Sequence, residues 1–99
     1  KSADNAFTHR VTVGRTSNND IVLDDSSVSR FHAWFEDRAG EWVVVDAGSR
    51  NGTLVNGKKL AAKATFTLTN GTSLRIGALP LTFYTAQGFF EMLQRRATE

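Results

Sequence analysis

The chain has 99 residues, 40% hydrophobic, 10% aromatic and 22% charged, the size and composition of one ordinary globular domain with a single core. Twelve Lys and Arg stand against ten Asp and Glu, a formal net charge of +2. That balance excludes bulk capture of nucleic acid or of an anionic membrane surface, which needs a dense basic stripe. Cysteine is absent, which excludes disulfides, thiolate zinc sites and cysteine nucleophiles.

The predicted elements are mostly short strands separated by turn residues. His9–Val13 alternates, with Val11 and Val13 on one face, and Asp20–Leu23 brings Ile21 and Leu23. Phe31, Ala33 and Phe35 alternate with His32, Trp34 and Glu36, the period-two pattern of a half-buried strand, which predicts Phe31 on the core face. Glu41–Asp46 carries Trp42 and the β-branched run Val43-Val44-Val45. Thr53–Val55 and Lys58–Leu60 flank Asn56-Gly57, a two-residue hairpin signal, and Thr65–Leu68 and Ser73–Ile76 flank Asn70-Gly71 in the same way. A last strand, Leu81–Tyr84, follows the single proline, Pro80.

About ten short strands without an intervening helical pattern predict an all-β sandwich of two mostly antiparallel sheets. The end differs: Gln87–Arg96 places Phe89, Phe90 and Leu93 at helical spacing, with Arg95 and Arg96 where positive charge suits the helix dipole. A helix this short is marginal alone, so it is expected to pack on the sandwich or lead toward a neighbouring domain. The expected division is 1–86 for the sandwich and 87–99 for the helix and tail. Beginning at Lys1, with Met92 its only methionine, the chain reads as a piece of a longer protein. A cytoplasmic setting is expected, because no signal-peptide pattern opens the chain, no apolar run spans a membrane, and cysteine is missing.

Catalytic readings find no support. His9 and His32 lack ligand-like spacing, so no metal or other cofactor is expected. Ser29 and His32, three apart on the predicted strand, would point to opposite faces, which disfavours a nucleophile–base pair. No glycine-rich loop ends in Gly-Lys-Ser/Thr, and Asp24-Asp25 lacks the spacing of a calcium loop. What the loops do offer is anion-binding chemistry. Gly14-Arg15 follows a strand, Asp24–Arg30 is rich in hydroxyls and ends in Arg, and Gly48–Thr53 joins two further strands. A phosphate monoester carries close to two negative charges and three acceptor oxygens. Arginine forks, a serine hydroxyl and backbone N–H groups in tight loops match it. Taken singly, each of these is an ordinary turn or strand end.

The joint pattern is more specific. Gly14-Arg15, Asn19–Leu23, Val28–Ala33, Asp46–Thr53 and Val55-Asn56-Gly57, in that order, closely resemble the forkhead-associated (FHA) domain. The resemblance implies an eleven-stranded FHA-type β-sandwich that binds phosphothreonine in a partner protein, or in a phosphorylated segment of its own parent chain. It also implies roles for individual residues. Arg15 and Ser29 are the principal phosphate-binding pair and Arg30 lies beside them. Asn51 holds the peptide backbone, and Ser27 and Arg50 flank it at positions that select neighbouring residues. Gly14, His32 and Gly52 support the site. A different reading keeps the sandwich as a phosphate-independent scaffold that docks through a sheet face or the Gln87–Arg96 helix. Nucleic acid and membrane are not expected partners under either reading.

Overall fold

Alternation and turn chemistry together give nine strands and one helix in a computed structural model that describes residues 8–98. Lys1–Phe7, part of the expected first domain, and Glu99 lie outside the described residues, as does the side chain of Arg96. Strands β1 (Thr8–Gly14), β2 (Ile21–Val22), β3 (Ala33–Arg38), β4 (Glu41–Asp46) and β7 (Thr65–Thr67) form a five-stranded sheet in the order β2-β1-β3-β4-β7. Strands β5 (Thr53–Val55), β6 (Lys58–Lys59), β8 (Thr72–Ile76) and β9 (Leu79–Phe83) form a four-stranded sheet in the order β6-β5-β8-β9. Neighbouring strands pair antiparallel except β1 and β2, which run parallel.

The eleven strands implied by the family resemblance are therefore corrected to nine among the described residues. The alternating segments between Thr8 and Phe83 are all used in these nine. Two local expectations also change. Asn70-Gly71 does not close a hairpin, because β7 pairs with β4 while β8 pairs with β5 and β9. That turn carries the chain from one sheet to the other. The strand predicted from Phe31 starts at Ala33, and Phe31 is 48% exposed rather than in the core. Ser29 and His32 consequently sit in the approach to β3 and not on a strand. By contrast, Asn56-Gly57 does join β5 to β6, with φ of 50° and 85° at the two turn residues, the positive-φ geometry that a tight hairpin needs.

The core lies between the sheets in two adjoining groups. Val13, Val28, Ala33 and Ile76 form one, and Val44, Val55, Leu68 and Leu74 the other, with Phe35 and Leu81 packed against both. Val28 is unusual among them, since it comes from a loop of serines and aspartates and is yet 1% exposed. It pegs that loop into the sandwich. The final helix α1 (Ala86–Thr98) begins at Thr85, whose hydroxyl accepts a hydrogen bond from Gly88 N–H at 3.0 Å, an N-cap contact. Asn70 Oδ1 accepts from Thr85 N–H at 3.0 Å, so the sheet-crossing turn holds the start of the helix. No helix among the described residues is long and apolar enough to cross a membrane.

Ile76 is fully buried in the first core group. Truncation to alanine, Ile76→Ala, is expected to lower the unfolding free energy by about 2–5 kcal/mol. Urea titration checks this, and a loss well under ~1 kcal/mol would contradict the assigned packing.

Candidate functional site

Strand β1 ends at Gly14, where an added Cβ would lie 2.1 Å from the Arg30 carbonyl oxygen. Only glycine lets the strand end so close to the next loop. Arg15 follows and is fixed twice. Its backbone N–H donates to Ser29 O, and its side-chain Nε–H donates to Val28 O, both at 3.0 Å. The guanidinium is thus aimed from its inner edge, with the terminal amino groups uncommitted among the described residues. Asn19 reinforces the junction, its Nδ2 donating to Arg30 O at 2.7 Å and to Thr16 O at 3.0 Å.

His32 is fully buried, and its ring joins two loops. Nδ1 accepts from Ser29 N–H at 3.0 Å, and Nε2 lies 2.9 Å from Gly52 O. A backbone N–H only donates and a carbonyl only accepts, so the ring carries its proton on Nε2. Gly52 O also accepts from Gly77 N–H at 3.3 Å, bringing in the β8–β9 turn. Gly52 has φ of 86°, a left-handed conformation that side chains disfavour.

Asp46, 3% exposed at the end of β4, organises the loop that follows. Its Oδ2 accepts from Gly48 N–H at 2.9 Å and Ser49 N–H at 3.1 Å. Its Oδ1 accepts from Ser49 Oγ at 2.6 Å and Thr53 Oγ1 at 2.7 Å. Ser49 Oγ accepts in turn from Gly52 N–H at 3.0 Å. Burial pushes the Asp46 carboxyl up, but the hydrogen bonds from Ser49, Thr53 and Gly48 outweigh it and hold the group below the usual aspartate range. Sequence reasoning assigned no role to Asp46, Val28 or Asn19. The signal for Asp46 was present, since an aspartate two residues before a glycine, in Asp46-Ala47-Gly48-Ser49, is the pattern of a side chain bonding backbone two residues on.

These contacts surround a cleft of about 400 Å³, lined by Arg15, residues 26–31, Gly48, Arg50 and Asn51. Six of the nine residues singled out from the sequence therefore line one cleft: Arg15, Ser27, Ser29, Arg30, Arg50 and Asn51. The other three, Gly14, His32 and Gly52, lie buried behind it. Ser29 Oγ accepts from Arg50 N–H at 3.0 Å and retains its own proton as a donor. Asn51 Nδ2 donates to Ser27 O at 2.8 Å, which fixes the amide across the cleft loops. The Ser27 hydroxyl is engaged within the chain, donating to Asp25 and accepting from Ala78 N–H at 2.8 Å. Arg15, Arg30 and Arg50 form no ion pair among the described residues, and no carboxylate lines the cleft. Nor does any group of three or more metal-ligating side chains occur among those residues.

The sequence profile of the FHA domain matches residues 11–77. The chain belongs to the FHA family. It is 45% identical over 74 residues to the glycogen accumulation regulator GarA of Mycolicibacterium smegmatis, a match covering 75% of this chain and 45% of GarA. The chain thus spans about half the length of the curated relatives it matches. Among solved structures, Mycobacterium tuberculosis EmbR in complex with a low-affinity phosphopeptide superposes with TM-score 0.71 at 36% identity, over 76% of this chain and 19% of EmbR. The N-terminal FHA domain of Rad53p from S. cerevisiae, in complex with a phosphothreonine peptide, gives TM-score 0.73 at 25% identity, over 85% of this chain and 73% of that one.

Two outcomes follow from the buried supports of this FHA domain. In His32→Leu the Ser29 N–H loses its acceptor, which is expected to lower stability by about 1–3 kcal/mol in thermal or urea unfolding. For Asp46 the folded-state pKa lies below the ordinary value of 3.8, so the unfolded chain binds the proton more readily. Its stabilising contribution is complete above that value and is lost as the pH falls through the folded-state pKa. Asp46→Asn is expected to be less stable at neutral pH and to show a shallower loss in acid, read from urea midpoints across the acid range. An unchanged acid profile would remove Asp46 from that role. Asp25 and Glu36, lowered first by hydrogen bonds from Ser27 and Arg38 respectively, act with the same sign, so the slope shrinks without vanishing.

Proposed function

We propose that the chain is a non-catalytic reader of phosphothreonine, docking a phosphorylated partner protein or a phosphorylated segment of its parent chain. The observation that carries this reading is a cleft with three arginines that form no ion pair among the described residues, a serine hydroxyl donor and no carboxylate in its lining, at the loop end of an FHA sandwich. Its volume falls in the range of about 300–1,000 Å³ common for ligand sites. Arg15, Ser29 and Arg30 bind the phosphate. Asn51, with one amide hydrogen and its oxygen uncommitted among the described residues, holds the peptide backbone. Arg50 and Ser27 border the flanking residues, Ser27 through its backbone because its hydroxyl is already bonded. Gly14, His32 and Gly52 hold the loops in place. The domain acts in the cytoplasm, where kinases and their substrates meet.

Affinity for a short phosphopeptide is expected near micromolar, about −8 kcal/mol. Arg15→Ala should weaken binding by about 1.5–3 kcal/mol, roughly ten- to hundredfold. Calorimetric titration with one peptide, phosphorylated and unphosphorylated, measures both effects. Equal binding of the two forms would instead support the scaffold reading, for which the exposed Phe89, Phe90 and Leu93 of α1 supply an apolar face.

A further inference from the structure

Phe31 is 48% exposed, but it is held firmly. Its ring stacks on Trp34, with centroids 5.8 Å apart and planes 11° from parallel. Trp34 is braced in turn. The Arg10 guanidinium lies 5.1 Å and Lys63 Nζ 5.6 Å from its ring centroid. Its indole N–H donates to Glu36 Oε1 at 3.1 Å, and Glu36 is paired with Arg10 and Arg38. A ring fixed in this way offers apolar area with little side-chain entropy left to lose on contact. Phe31 also lines the cleft beside Arg30 and Ser29, where it is the exposed apolar side chain, Val28 of the same lining being buried in the core.

We propose that the exposed ring of Phe31 is a subsite for an aromatic or large aliphatic side chain flanking the phosphothreonine of the bound peptide. This rests on the phosphothreonine reading and deepens it, adding an apolar determinant to a site otherwise made of charge and hydrogen bonds. The local charge and the ring act on different classes of occupant. Aromatic faces also attract cations, but Arg15, Arg30 and Arg50 share the cleft, and Arg10 and Lys63 stand behind the stack. A basic peptide residue is repelled there. An acidic one gains from the guanidinium groups and nothing from the ring. Only an apolar side chain gains area and stacking on Phe31.

The test is a phosphothreonine peptide library with each flanking position varied in turn, read on the wild-type chain, Phe31→Ala and Arg15→Ala. The wild type is expected to select an aromatic or large aliphatic residue at one flanking position, binding it roughly two- to tenfold tighter than alanine there. Phe31→Ala is expected to erase the difference between those two peptides, the coupling that a double-mutant cycle isolates. Phosphate-dependent binding with no apolar selection, or selection that survives in Phe31→Ala, overturns the subsite while leaving the phosphothreonine reading intact. Binding indifferent to phosphate in both the wild type and Arg15→Ala overturns that reading and the subsite together. In the unmodified chain, nuclear Overhauser contacts between the Phe31 ring and the selected side chain are expected, and their absence also overturns the proposal.

Discussion

One imidazole ties the binding end together. His32 presents one acceptor and one donor on opposite sides of a rigid ring, and each meets a backbone group that has no strand partner, Ser29 N–H and Gly52 O. Loops that converge at the end of a sandwich cannot satisfy one another by ladder pairing, yet buried backbone groups must be paired. A side chain with both functions at fixed separation resolves this. The consequences spread outward from it. Ser29 is placed so that its hydroxyl receives Arg50 N–H, and Gly52 O reaches Gly77 as well. The loops after β2, β4 and β8 are thereby fixed to one another through a single neutral ring.

Charge is managed on the same principle. The total of +2 is nearly balanced, yet two of the acidic groups near the cleft in sequence are occupied by hydrogen bonds within the chain. Asp46 spends its carboxylate on four donors of its own loop, and Asp25 on the N–H and hydroxyl of Ser27. What faces the cleft is guanidinium from three loops. An ionised acceptor draws strong hydrogen bonds from neutral donors, so these aspartates both order the loops and leave the arginines unpaired for an incoming anion. A small local excess of positive charge in a defined geometry recognises one phosphate, where a large net charge would attract polyanions indiscriminately.

The strands were legible because alternation of β-branched and aromatic residues reflects a local requirement, one buried face per strand. Legibility stopped where the answer depended on a distant partner. Asn70-Gly71 carries a hairpin signal, but the hydrogen-bond partners of its flanking strands lie on β4, β5 and β9. At Phe31 the period breaks because the chain enters β3 through the backbone bonds Arg15 N–H to Ser29 O and His32 N–H to Val13 O, which place residue 31 outside the ladder. Eleven strands came with the family pattern, whereas the alternating segments themselves amount to nine. In the site, the polar residue types that line the cleft were readable as anion-binding chemistry. Residues that meet only the protein, such as Val28 with its side chain in the core and Asn19 on Arg30 O, had no local signature strong enough to announce them.

That difference divides the site into two kinds of position. Gly14, His32, Asp46 and Val28 are buried and committed, so changing them disturbs several loops at once. Arg30, Phe31, Arg50 and Asn51 are exposed, and their side chains bear little of the packing that holds the sandwich. A substitution at Arg30 or Arg50 alters the cleft at small expense in stability, because surface changes away from special contacts fall within about 0.5 kcal/mol. Phe31 and Asn51, by contrast, also carry the Trp34 stack and the bond to Ser27 O. Ser27 sits between the two kinds: its hydroxyl is bound by Asp25 and Ala78 while its carbonyl receives Asn51. Under the proposed reading, capacity for the phosphate resides in Arg15, Ser29 and Arg30, held in place by that committed frame. Choice among phosphopeptides is proposed to reside in exposed residues, with Phe31 reading an apolar feature rather than charge.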